Sequence, residues 1–236
     1  MGVLQLFEPF YMAAERRGAP AVGDIYWVPI PHTEQTPRIF DVKRSDSRDH
    51  TVLDYEIVEI RNHHFTERTD RLPIKLLTLG ATEELVIAKA KKRPAVVLFS
   101  SALTDMATLS ALDQRLAKDI AKPCYVVAPM YSPATPSSPG PFMPTLVARI
   151  RALQYPHLAC LPPLGKNTQD AGEIVRLDRL HATHLARGCE RSEWKLHVDV
   201  TQLIVDQLLW AAHGSVSEYL EAAVETVRDS LPPELV

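Results

Sequence analysis

The sequence predicts an α+β fold. Short β-rich runs recur along most of the chain, and two amphipathic helical stripes finish it. Three runs are the clearest strands: Gly-Asp-Ile-Tyr-Trp-Val at 23–28, Arg-Pro-Ala-Val-Val-Leu at 93–98 and Tyr-Val-Val-Ala-Pro-Met at 125–130. No internal repeat or strong linker separates them, so a single domain with insertions is expected over residues 1–236.

In chain order, Gly23-Asp24 is a turn signal that opens a strand over 25–30, closed by Pro29 and Pro31. Residues 40–43 and 51–60 read as a β-hairpin around the polar cluster Ser45 to Asp49. Residues 82–92 are expected to be helical, with Thr82 as N-cap, Glu83 and Glu84 in the first turn, and Lys89, Lys91 and Lys92 at the other end. Leu103, Met106, Leu109, Leu112, Leu116 and Ile120 recur at helical spacing and predict an amphipathic helix over 103–121, closed by Pro123. The proline-rich stretch 133–144 is expected to be an exposed loop.

Strands are predicted at 146–155 and 157–161, with a last one at 173–177. A C-terminal helical segment then covers about 197–231. Val200, Leu203, Ile204 and Leu208 stripe its first helix, and Ser215 with Glu218 forms a capping box for the second.

The 236 residues are 46% hydrophobic and 23% charged, enough to bury a substantial core and unlike a disordered chain. The first residues carry no basic lead and no apolar run long enough to cross a bilayer, so no membrane association and a cytoplasmic location are expected. Cys124, Cys160 and Cys189 are odd in number and far apart, which suggests neither a disulfide framework nor a zinc finger. A net charge of −3 argues against broad nonspecific nucleic-acid binding, so any RNA or DNA site must be local.

Five blocks occur in a telling order: Gly23 to Val28, Glu34-Gln35, Arg93 to Leu98, Val127 to Ser132, and Arg176-Leu177-Asp178, followed by the helix near 197–212. In this order the chain resembles the MazF/PemK (Kid-like) family of endoribonuclease toxins. The resemblance implies an SH3-like small β-barrel in which residues 36–92 are an inserted region containing the hairpin. It also implies metal-independent cleavage of single-stranded RNA with no cofactor, a homodimer, and an antitoxin protein as partner in a type II toxin–antitoxin pair.

That reaction needs a base near the ribose 2′-hydroxyl, an acid or cation near the leaving 5′-oxygen, and donors around the phosphate. By the resemblance, Arg93 stabilises the transition state, for which a guanidinium fork suits a phosphate better than an ammonium. Without the neighbouring blocks it reads as the end of the Lys91-Lys92-Arg93 surface run, of which Lys92 is a candidate substrate contact, and with them the functional reading is favoured. Asp178 would be the base and Arg176 the acid or clamp. Two residues apart on a strand they would leave one face together, as would an edge ion pair without catalytic role.

Tyr131 stands where the family usually has a threonine, and Ser132 follows it. Either Ser132 and the phenol share the threonine's role, or the barrel keeps only binding, with Tyr131 stacking on a base. His32, Glu34 and Gln35 are candidate substrate contacts in the first loop, His32 one residue out of the family's register. His63-His64 and His181-x-x-His184 have metal-type spacing but no third ligand, so no metal site is expected. A noncatalytic RNA- or protein-binding module is the alternative function, and residues 36–92 could also cover the site in cis.

Overall fold

The computed structural model describes residues 2–15, 17–44, 48–49, 52–66, 77, 79–80, 82–101, 122–133, 142–166, 168, 170–186 and 188–228. The chain divides into two compact units, one made of Met1–Ile30 with Lys92–Val236, the other of Pro31–Lys91. The predicted helix over 103–121 lies outside the described residues.

The strands of the first unit are β1 (Tyr11–Ala13), β2 (Asp24–Pro31), β6 (Ala90–Ser100), β7 (Tyr125–Tyr131), β8 (Leu158–Leu161), β9 (Glu173–Arg176), β10 (His181–Thr183) and β11 (Glu190–Leu196). They form a strongly curled antiparallel sheet, a half-barrel, in the order β1-β11-β2-β6-β7-β9-β8, with β10 also on β7. The middle strands are rich in Val, Ile and Tyr, which suit a pleated surface buried on both sides. Strand alternation sends Val96, Leu98, Ala128 and Met130 into the larger core, while Ala95, Val97 and Val127 enter a smaller one with Tyr26 and Val28.

Three α-helices among the described residues complete this unit: α1 (Pro144–Arg151), α2 (Val198–His213) and α3 (Glu218–Arg228). The expected strand over 146–155 is thus a helix. Pro144 sits in its first turn, where its missing N–H costs nothing, and Val147 and Ile150 bury one helical face. Glu173 to Arg176 is not the last strand, since β10 and β11 follow it. Helix α2 buries Val200, Leu203 and Ile204 as its stripe requires. The cap of α3 is Ser217 rather than Ser215. Its hydroxyl accepts from the Leu220 N–H at 3.1 Å and donates to the buried Asp206 carboxylate at 2.6 Å. No described helix is long and apolar enough to cross a membrane.

In the second unit, β3 (Arg38–Arg44) pairs antiparallel with β4 (Leu53–Glu59) as the expected hairpin, and with the short β5 (Val86–Ile87) on its other edge. The expected helix over 82–92 is absent from these residues. The Glu83 carboxylate closes a local turn on the Gly80 N–H at 2.7 Å, the β-branched Val86 and Ile87 take the β3 edge, and β6 has begun by Ala90.

The Gly-Asp turn before β2 has a structural cause. Gly23 has φ +89°, and a Cβ there would sit 2.7 Å from the Thr201 hydroxyl. The Asp24 carboxylate, 2% exposed, accepts from the Ala21 N–H at 2.9 Å and from Arg191 on β11 at 2.5 Å. Removing one member of a buried ion pair strands the other, at a cost of about 3 kcal/mol or more. Urea denaturation of Asp24→Ala is therefore expected to show a loss of about that size, and Asp24→Ala with Arg191→Met is expected to recover part of it.

Candidate functional site

The register of three strands gathers the site. Val97 pairs with Val127 and Ala95 with Pro129, and the same register continued one step sets Arg93 opposite Tyr131. On the other edge of β7, Tyr131 pairs with Ile174, which makes Arg176 its diagonal neighbour on the same face. The side chains meet as this geometry requires. The guanidinium carbon of Arg93 lies 4.2 Å from the Tyr131 ring centroid, and that of Arg176 lies 6.0 Å from it.

Phe142 closes the cluster. It is 2% exposed, sits edge-on to Tyr131 at 6.4 Å, and lies 5.7 Å from the Arg176 guanidinium. It lies in the proline-rich stretch read as exposed loop, of which residues 134–141 are outside the described residues. The sequence signal for Phe142 is modest: a lone aromatic just before Pro144, the residue that opens α1.

Asp178 is not on the strand with Arg176. Strand β9 ends at Arg176, and Asp178 lies in the turn that follows. Between the pairs Met130–Val175 and Val127–His181, residues 128–129 of β7 face the five-residue excursion 176–180. Pro129 brings no N–H to a ladder there. The excursion turns Asp178 back onto Arg176, whose Nε donates to Oδ1 at 2.6 Å while Nη2 donates to Oδ2. Partial burial pushes the Asp178 carboxyl up, but the Arg176 hydrogen bonds and charge outweigh this and hold it below the usual carboxylate range. The side chains are 17% and 33% exposed.

Among the described residues the cluster holds two guanidiniums and one carboxylate beside an aromatic ring. Among the described residues no carboxylate is paired with Arg93. Such a surface suits a phosphate and a stacking base, because guanidinium forks bind phosphate oxygens bidentately and ring faces accept bases of any identity.

The other predicted site residues fall elsewhere. Lys92 is paired with Glu190 at 2.9 Å, and as the neighbour of Arg93 in a strand it leaves the opposite face. Ser132 is exposed at the first position past β7. His32, Glu34 and Gln35 belong to the second unit, where the His32 N–H donates to the Lys89 carbonyl at 2.8 Å and the Gln35 N–H to the His32 carbonyl at 3.3 Å. Gln35 also lines a cavity of about 830 Å³ with Arg38, Ile57, Glu59, Ile87 and Lys89, all in that unit.

The helical spacing behind the His181–His184 idea does not apply, since His181 is on β10 and the His184 Nδ1 lies 3.1 Å from the Pro123 carbonyl oxygen. His64 is buried, its Nδ1 accepting from the Arg61 N–H at 2.9 Å. Among the described residues no group of three or more His, Cys, Asp or Glu is placed to hold a metal ion.

A second perturbed carboxyl went unnoticed in the sequence. Burial at the start of β9 pushes Glu173 up to about 7. The folded chain therefore keeps a proton that the unfolded chain releases near the ordinary value of 4.5. Stability from this group is full below about 4.5, falls as pH rises toward about 7, and is level above that. With a discount for partial exposure the slope amounts to at most about 2 kcal/mol, and Glu173→Gln is expected to remove it when urea midpoints are compared across that window. No family model matches the chain, and neither a curated protein nor a solved structure matches it.

Proposed function

We propose that this chain is a metal-independent endoribonuclease that cuts single-stranded RNA, on an SH3-like barrel of the MazF/PemK type. The observation that carries the reading is the convergence of Arg93, Tyr131 and Arg176 on one sheet face, with Asp178 in reach of Arg176. Three separate motif blocks supply these residues, and the β6-β7-β9 register brings them together.

In this reading the ribose 2′-oxygen attacks the adjacent phosphorus, its proton passes to Asp178, and the bond to the 5′-oxygen breaks as that oxygen takes a proton from solvent water, leaving a 2′,3′-cyclic phosphate and a 5′-hydroxyl end. Arg93 and Arg176 stabilise the charge that builds on the non-bridging oxygens. A guanidinium does not release its proton in a protein, so Arg176 is the clamp rather than the acid. Tyr131 offers a ring against which a base can stack. Toxin function in the cytoplasm, a homodimer and an antitoxin partner belong to the same proposal and rest on the resemblance of the five blocks.

A noncatalytic RNA-binding module is the second reading, favoured by the engagement of both Asp178 oxygens with Arg176. Cleavage of a mixed single-stranded RNA pool in EDTA separates the two. Wild-type protein, prepared free of any bound partner, is expected to leave cyclic phosphate ends, and Arg93→Ala and Asp178→Asn are each expected to slow cleavage by about 10²-fold or more. Absence of cleavage of every RNA in the pool overturns the catalytic reading.

A further inference from the structure

We infer that Asp178 is an internal stand-in for a phosphate. It occupies the guanidinium fork of Arg176 in the free protein, and the RNA backbone must displace it to bind. The inference deepens the proposed function and rests on that reading for the identity of the anion. Its geometry is independent of whether the chain cleaves anything.

Three observations converge on it. The Arg176–Asp178 contact is side-on and bidentate, with Nε and Nη2 each taking one carboxylate oxygen, the arrangement in which a guanidinium also takes two oxygens of a phosphate. Asp178 therefore fills the donors that an incoming phosphate would use. The carboxylate comes from the turn after β9, not from the strand, so swinging aside costs it the bond to its own backbone N–H but no ladder hydrogen bond. It is also the more exposed partner, 33% against 17% for Arg176, whose guanidinium is flanked by Tyr131 and Phe142. The cation is seated and its carboxylate is the movable member.

Displacement has a consequence for chemistry. While bonded to Arg176 the carboxylate is a poor proton acceptor, because the guanidinium stabilises its ionised form. Once a phosphate takes the fork, Asp178 loses that stabilisation next to the arriving ribose and becomes more basic. Binding and activation of the base are then one event, and the free protein holds its base in a quiet state. An ordinary structural ion pair makes no such link.

The test measures affinity rather than turnover. A single-stranded oligonucleotide made entirely of 2′-deoxynucleotides cannot undergo 2′-hydroxyl attack, and its binding is followed by fluorescence anisotropy. Asp178→Asn is expected to bind it roughly 3- to 30-fold more tightly than wild type, with Asp178→Ala behaving alike, because the competitor for the fork is gone.

The gain must pass through Arg176. In an Arg176→Ala background the Asp178→Asn change is expected to give less than about 2-fold. Unchanged or weaker binding by both Asp178 variants overturns the inference, as does an equal gain in the Arg176→Ala background, which would mark a general charge effect. Absence of measurable binding by every form overturns it as well. Failure of cleavage in EDTA with tightened binding by Asp178→Asn leaves the stand-in and removes the nuclease, and the reverse pattern does the opposite.

Discussion

The register between β6 and β7 is the constraint on which the rest of the molecule depends. Each strand is buried on both faces, Val96 and Ala128 in one core, Val97 and Val127 in the other. A slip of one residue would exchange the two sets, moving larger and smaller side chains into spaces shaped for the others. The same slip would carry Arg93 to the opposite face from Tyr131. Packing of the apolar side chains of both strands thereby fixes the half-buried Arg93 guanidinium to within contact distance of a ring.

Two arginine–aspartate pairs in the first unit show how environment separates a buried charge pair from a half-exposed one. Asp24 is 2% exposed and its Arg191 partner 18%, and the pair ties the turn before β2 to β11. Its carboxylate also caps the turn through the Ala21 N–H, so both ends of the contact are held by backbone. Asp178 is 33% exposed, lies in a turn, and bonds a guanidinium that faces aromatic rings instead of a turn. A partly exposed pair contributes on the order of 1 kcal/mol, small enough for a ligand's phosphate to replace it. The buried pair is too costly to open. Chemically alike, the two pairs are therefore suited to different work.

Much of this was legible in the sequence, for reasons that can be named. The strand over 25–30 was found because its Gly-Asp turn and prolines bracket it, and the hairpin because its polar loop separates two β-rich runs. Arg93, Tyr131, Arg176 and Asp178 were recognised from ordered blocks, although only the register shows that they meet. The helix expected over 82–92 failed because a favourable charge order at its ends was given more weight than Val86-Ile87 beside an available β3 edge. Residues 146–155 misled because Leu146, Val147 and Ile150 fit a short apolar strand and a helical face equally well, and Pro144 decides for the helix. Phe142 was missed because composition describes a stretch, whereas burial is decided residue by residue.

Tyr131 is the ring that both guanidiniums share. A threonine at this position would offer a phosphate one hydroxyl. The phenyl ring instead offers a face, and Arg93 already lies 4.2 Å from its centroid, held by attraction between cation and ring quadrupole. Among the described residues that contact holds the guanidinium without pairing it to a carboxylate. The entropy lost in fixing a long, flexible arginine on binding an anion is thereby reduced. Arg176 gains from the same ring at longer range and from Phe142, so the aromatic pair acts as a shared floor for two cations that would otherwise repel. With Asp178 on one of them, the free protein pairs one of these guanidiniums with a carboxylate, and a phosphate that replaces the carboxylate keeps an anion on Arg176 while adding contacts of its own.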